Sequence, residues 1–244
     1  MKIKISLLLL LFLWSFQFAQ AQKKDFSEFD NDSIPKTNFA VGVEFGYGNF
    51  LKQKGDKKPY KGQFELGLMM EFTSMLSKKD PRWRLAYGMH LEGRYIGLKN
   101  NQILVDENDV TVLEEFPDKL KKSRFEVVNL LFPVHIEFGN PPITKRYKDD
   151  SYYSFNEKLK GGIGGFIGAK IFSSMNYKFD NNGKFDKISR QRSYNTENLL
   201  YGISAYIQYD AFRIFSRINL NDMFKQAEVN GQGFVVGVNF IMDK

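Results

Sequence analysis

The clearest pattern in the chain is strict alternation of apolar with polar or small residues. In the segment from Phe39 to Phe50, Phe39, Val41, Val43, Phe45 and Tyr47 fall on one face, and Ala40, Gly42, Glu44, Gly46 and Gly48 fall on the other. A period of two predicts a strand with two different faces. From Gln63 to Ser74, Phe64, Leu66, Leu68, Met70 and Phe72 oppose Gln63, Glu65, Gly67, Met69, Glu71 and Thr73. From Trp83 to Tyr95, Trp83, Leu85, Tyr87, Met89, Leu91 and Tyr95 oppose Arg84, Ala86, Gly88, His90, Glu92 and Arg94.

Later segments carry the same signal with more interruptions. Between Phe125 and Phe138, Val128 through Phe138 at every second position is apolar, and Asn129, His135 and Glu137 face the other way. Pro133 cannot donate to a ladder and predicts a local irregularity there. Segment 158–177 is glycine-dense and its facing is ambiguous. Alternation returns in Leu199–Tyr209, in a strand read from Phe212 to Phe224, and from Gly233 to Met242. The total is about eight strands, an even number, as expected for a single-chain transmembrane barrel. Long polar connections (51–62, 99–123, 179–198) alternate with short ones (76–82, 210–211), which fits a barrel with long loops at one end. Connection 139–158 breaks this rule. Either the next strand starts near Tyr152, or the strand count is different.

The composition of the polar face decides between lipid and water outside. It holds Gly42, Gly46, Gly48, Gly67, Gly88, Gly202 and Gly237. Glycine weakens a strand and gains nothing on a water-facing surface. In a lumen of about eight strands it makes room for larger neighbours. The same face carries Glu44, Glu65, Glu71, Glu92, Arg84, Arg94, Arg213 and Arg217, a set of opposite charges that can pair across a lumen. Tyr206 and Phe215 also point inward and are expected to plug it. Trp83, Tyr95, Tyr209 and Phe212 sit at the ends of apolar faces, as interfacial aromatics do. The fold class predicted is therefore all-β, an antiparallel transmembrane barrel, against the alternative of a soluble secreted β-protein.

The first residues predict export. Lys2 and Lys4 precede an apolar run from Leu7 to Phe18 and a small-x-small site at Ala19-Gln20-Ala21, the pattern of a signal peptide cleaved after Ala21. The run is shorter than the ~20 residues of a spanning helix, which disfavours an uncleaved anchor. Residues 22–38 read as a periplasmic tail and 39–244 as the barrel. The chain has no cysteine, so neither a lipoprotein anchor nor disulfides are available. Its net charge of +7 falls to +5 when Lys2 and Lys4 leave. Nucleic acid is not an expected partner for such an exported chain.

Several later segments resemble a family. The Pro-containing strand with Pro133, the glycine-rich run from Gly161 to Gly168, Tyr201-Gly202, the turn Asp210-Ala211 and the pair Leu220 and Phe224 are similar to outer-membrane β-barrel domain, or porin-family, proteins. The resemblance covers most of residues 39–242. It implies the barrel and the outer membrane of a Gram-negative cell, and little about activity. Secretion-associated PorT-type barrels are similar in size. One departure is the C-terminus, where the last aromatic, Phe240, lies four residues from the end.

No catalytic constellation stands out. His90 and His135 face the lumen beside Glu92 and Glu137, where a metal site or an acid/base pair is conceivable; the plainer reading is a polar network. G-x-S-x-G and H-E-x-x-H are absent. No enzyme activity and no cofactor are expected. The expected function is a structural or surface-interaction barrel with a plugged lumen, with a small-solute pore or an accessory barrel of a secretion system as alternatives. Lys52, Lys54, Lys57, Lys58 and Lys61 cluster in the first long loop; they are candidates to contact lipopolysaccharide phosphates or an anionic surface partner, and the plainer reading is a solvated loop whose lysines keep it soluble.

Overall fold

The structure is a computed structural model. It describes residues 37–243 except 55–58, 78–79, 109, 142, 148–149, 155–158, 182 and 229, and at 52, 54, 143–147, 150–154 and 243 the backbone alone. Thirteen strands are described: β1 (Thr37–Lys54), β2 (Tyr60–Met75), β3 (Trp83–Leu98), β4 (Gln102–Glu107), β5 (Val110–Glu115), β6 (Leu120–Gly139), β7 (Ile143–Tyr147), β8 (Asp150–Ser154), β9 (Lys160–Asn181), β10 (Lys184–Gln191), β11 (Leu199–Tyr209), β12 (Phe212–Asn219) and β13 (Asn230–Asp243). β1, β2, β3, β6, β9, β11, β12 and β13 pair antiparallel in that order, and β13 returns to β1. The ring is thus a closed eight-stranded antiparallel barrel. Closure removes the free edges that would otherwise expose backbone donors and acceptors.

The alternation places side chains as the sequence predicts. Along β11 every second residue from Leu200 to Gln208 is buried, and the residues between are exposed. β1 opens at Thr37, so Thr37 and Asn38, expected in the tail, pair instead with Ser74 and Thr73. The expected signal peptide, residues 1–21, and residues 22–36 lie outside the described residues. β12 stops at Asn219 and not at Phe224; Asn221 accepts from Tyr201 N–H and donates to the Leu199 carbonyl, which turns the chain away.

Pro133 does not shift the register. The β3–β6 ladder skips Gly88 and Met89 and resumes with the same offset. The slip lies on the other side of β6, between Val128 and Asn129, where β9 steps from Phe172 to Lys170 and Ile171 is the extra residue. A bulge of this kind re-aims the following side chains. It resolves the ambiguous glycine-rich run: Gly162, Phe166 and Gly168 face inward, and Ile163, Ile167 and Ala169 face out.

Connection 139–158 needs neither of the two explanations given for its length. β7 and β8 within it form their own hairpin, from Ile143↔Ser154 to Tyr147↔Asp150, so Tyr152 lies in that hairpin and the barrel count stays at eight.

At the end with long connections the interior is apolar. Phe50, Tyr60, Ile96, Leu98, Phe125 and Val127 on the barrel strands pack with Met175, Tyr177, Tyr194, Met223 and Phe224. The β4–β5 hairpin contributes Ile103 and Leu104. Thr111 binds this cap together: its N–H donates to the Gln226 carbonyl at 3.1 Å and its hydroxyl to the Tyr194 carbonyl at 2.6 Å. Burial raises the pKa of the Tyr194 phenol.

Inward glycines match large neighbours. A Cβ on Gly162 would meet the Tyr206 ring at 2.5 Å, and one on Gly237 the Phe215 ring at 2.6 Å. Gly162→Val is expected to displace Tyr206 and cost about 1–3 kcal/mol through overpacking. The check is the urea midpoint at which the heat-sensitive folded gel band disappears, which should fall.

Candidate functional site

The most developed chemistry in this chain lies inside the barrel. Five acids (Glu44, Glu65, Glu71, Glu92, Glu137) and five bases (Arg84, Arg94, Arg213, Arg217, Lys160) are buried among the described residues. Each comes from an inward position of a barrel strand. Their formal charges cancel.

The charges fall into groups along the axis. Nearest the short turns, Arg84 Nε at 2.6 Å and Lys160 Nζ at 3.0 Å form ion pairs with Glu137, and the Tyr206 hydroxyl donates to it at 2.7 Å. Next, Arg213 makes a two-pronged contact with Glu71, Nη1 to Oε2 at 2.8 Å and Nη2 to Oε1 at 2.5 Å. Paired parallel bonds of this kind are the strongest form of Arg–carboxylate contact. Gln208 Oε1 accepts from the same guanidinium at 2.9 and 2.8 Å, and the Tyr206 ring lies 3.9 Å from its centre.

The third group lies under the apolar cap. Arg94 Nε lies 2.6 Å from a Glu65 carboxylate oxygen as an ion pair, and Arg94 Nη2 donates to Glu92 at 3.0 Å. Arg217 Nη2 contacts Glu65 at 2.8 Å, Glu92 at 3.1 Å and also Glu44. Asn129 Nδ2 donates to Glu92 at 2.8 Å. The three carboxylates have oxygens within 4.8 Å of one another, close enough to gather a metal ion. Arg217 touches all three and supplies the positive charge at that point.

All eight charges named from the sequence thus meet partners in the lumen. Glu137 and Lys160 complete the set. The sequence pattern places Glu137 inward beside a histidine, and Lys160 sits in the glycine-rich run whose facing the alternation leaves open. The histidines do not pair with the glutamates two residues along. His135 Nε2 is 2.7 Å from Ser204 Oγ, and His90 Nδ1 is 3.7 Å from Glu44 Oε2. A void of about 20 Å³ lies beside His90 and His135, and another of about 20 Å³ beside Asn129 and Thr196. Each is of a size for one water molecule. Of the lysine cluster, Lys61 is exposed. The side chains of Lys52 and Lys54, and all of Lys57 and Lys58, lie outside the described residues.

No family model and no curated protein matches the chain. Among solved structures it is similar to Ail, the attachment invasion locus protein of Yersinia pestis, in complex with the heparin analogue sucrose octasulfate. The identity is 12% over 84% of this chain and 97% of that one, with a TM-score of 0.30. A second Ail structure matches at 13% identity over 86% of this chain and 100% of that one, with a TM-score of 0.29. A triple mutant of the Rhodopseudomonas blastica porin matches at 8% identity over 84% of this chain and 100% of that one, with a TM-score of 0.20. At these scores the likenesses bear no weight. The fold stands on the chain's own strand register.

Removing one member of a buried pair strands the other, at a cost of about 3–5 kcal/mol. Arg213→Met is expected to destabilise the barrel by that amount, because the buried Glu71 carboxyl is left without its counterpart. Adding Glu71→Gln should restore a large part of the loss. Urea midpoints of the parent, the single and the double variant measure this directly.

Proposed function

We propose that this chain is an integral outer-membrane barrel, closed to solutes, with a structural or surface-interaction role. The observation that carries the membrane reading is the outer surface. Thirty large hydrophobic side chains are exposed among the described residues, among them Leu66, Val134, Ile163, Ile203, Ile207 and Ile214. Soluble monomers rarely expose apolar surface on this scale.

Aromatic residues bound the band. Phe64 and Phe72, Tyr87 and Tyr95, and Tyr201 and Tyr209 are each eight positions apart. A spanning strand needs about 9–11 residues, tilted. Phe72 stacks on Tyr87 across the ladder at 5.7 Å, and Trp83 meets Phe138 at 4.8 Å. Both pairs lie towards the short turns. Beyond Tyr95 the outer face becomes charged, with Arg124 and Glu126 on β6 and Lys178 and Asp180 on β9. That change in outer-face chemistry is what a strand leaving the bilayer requires.

The closed reading rests on the lumen and the cap. A solute path would have to cross three paired charge groups and then the apolar cluster around Phe125. The secretion-accessory alternative has only the size of the barrel in its favour. Export through the Sec pathway with cleavage after Ala21 belongs to the same proposal, as does a role without catalysis or cofactor. The partners it implies are outer-membrane lipid, with lipopolysaccharide outermost, or another envelope protein.

The membrane reading predicts recovery in the outer-membrane fraction and different gel mobility for unboiled and boiled samples. Recovery in soluble periplasm would reject it. The closed reading predicts no steady conductance when purified protein is added to a planar bilayer. Stable channels of nanosiemens size would reject that part alone.

A further inference from the structure

β6 and β9 continue past the outer aromatic row, and β10 joins β9 there. Outward positions on this stretch include Arg124, Lys122, Lys178 and Lys187. Arg124 lies opposite Gly97, two residues past Tyr95, and lays its guanidinium over the Tyr95 ring at 4.7 Å. One step further, Lys122 is directly opposite Lys178, and Lys178 is directly opposite Lys187. Like charges in that register repel and weaken a sheet. The irregularity between Leu120 and Lys122 frees Lys121, whose Nζ reaches the Phe185 ring at 3.5 Å; Lys178 Nζ lies 4.6 Å from the same ring.

Acidic relief is thin. Glu126 is committed to Arg124, and Asp180 Oδ1 accepts from Gly183 N–H at 2.8 Å. Among the described residues, Lys121, Lys122, Lys178 and Lys187 have no ion-pair partner. Lysine on an edge strand discourages unwanted pairing, which accounts for Lys187 on β10. It does not account for Lys122 and Lys178, whose strands are paired.

We propose that this ledge, Lys121 and Lys178 over the Phe185 ring with Lys122 and Lys187 opposite Lys178, binds the phosphate groups of outer-leaflet lipopolysaccharide. The proposal rests on the membrane reading and names the surface through which that lipid is held. At ~3.3 Å per residue, Arg124 and Lys122 lie about 7 and 13 Å along the strand from the level of Tyr95, in the zone where headgroups begin. A phosphate bridging opposed ammonium groups removes the repulsion that the register creates. The first-loop lysines expected from the sequence to do this contribute Lys61 nearby, on the strand paired with β3 next to Gly97.

The test uses the full-length protein purified in detergent and titrated with diphosphoryl lipid A, dephosphorylated lipid A and inorganic phosphate. The variant is K121Q/K122Q/K178Q/K187Q. One lysine near an anionic surface is worth about fivefold in affinity. At low salt the parent is expected to bind diphosphoryl lipid A at least about tenfold tighter than the variant, a gap that narrows at high salt as exposed charges are screened. Dephosphorylated lipid A should bind both alike, and inorganic phosphate should not compete. Equal binding of diphosphoryl lipid A by folded parent and variant overturns the proposal, and so does competition by inorganic phosphate at matched concentration. The heat-dependent gel shift verifies that the variant is folded; if it is not, K122Q and K178Q are compared singly under the same criteria. A parent that fails the gel shift and fractionates as soluble removes the membrane reading and the ledge with it. A parent that passes both but binds lipid A no better than the variant removes the ledge alone.

Discussion

A closed ring of eight strands encloses too little space for a column of water, so every charge that points inward must find its partner inside. That constraint organises the molecule. The buried acids and bases balance, five against five, and they pair between strands remote in sequence: Glu71 with Arg213, Glu44 with Arg217. Such pairs contribute little net stability once desolvation is counted, yet breaking one is costly. Their effect is to penalise any slip in register, since a shift by one residue would send each charge to the outer face. Inward Gly162 and Gly237 follow from the same lack of room, because Tyr206 and Phe215 take the space that their side chains would occupy.

Each strand meets two surroundings in turn. Between the aromatic rows the apolar side is outside and the charged side inside. Past Tyr95 the sides exchange: on β3, Ile96 and Leu98 turn inward, and on β6, Phe125 and Val127 do so while Arg124 and Glu126 turn out. The long connections then close over this second interior as the cap of an ordinary water-soluble core. Polar lumen and apolar cap therefore belong to different stretches of the same strands.

Alternation alone makes the lipid-type face and most of the charge network legible in the sequence. β1, β2, β3 and β11 each keep one parity over their whole central length, which is why Glu44, Glu65, Glu71, Glu92, Arg84 and Arg94 can be placed inward. Three features are not legible. Lys160 opens a run where glycine at nearly every position erases the contrast between faces, and the extra residue Ile171 then changes parity within β9. The cap escapes for another reason: Ile96, Leu98, Phe125 and Val127 have the inward parity but the outward chemistry. Read as a change of medium along the strand, that exchange would reveal it. The hairpin β7–β8 carries no barrel-length alternation and cannot be counted from pattern.

The central claim is that one face of each strand meets lipid and the other an interior filled by paired charges. The chain contains no cysteine, so one introduced cysteine carries one spin label without ambiguity. Labels at Phe132, Val134, Ile136 and Phe138 of the protein in bilayers should be accessible to oxygen and shielded from a water-soluble relaxation agent. Oxygen access should be greatest at Phe132, nearest the middle of the band, and should fall towards Phe138. Labels at Lys122 and Arg124 on the same strand should show the reverse. Uniform access of the water-soluble agent from 122 to 138 would contradict the account.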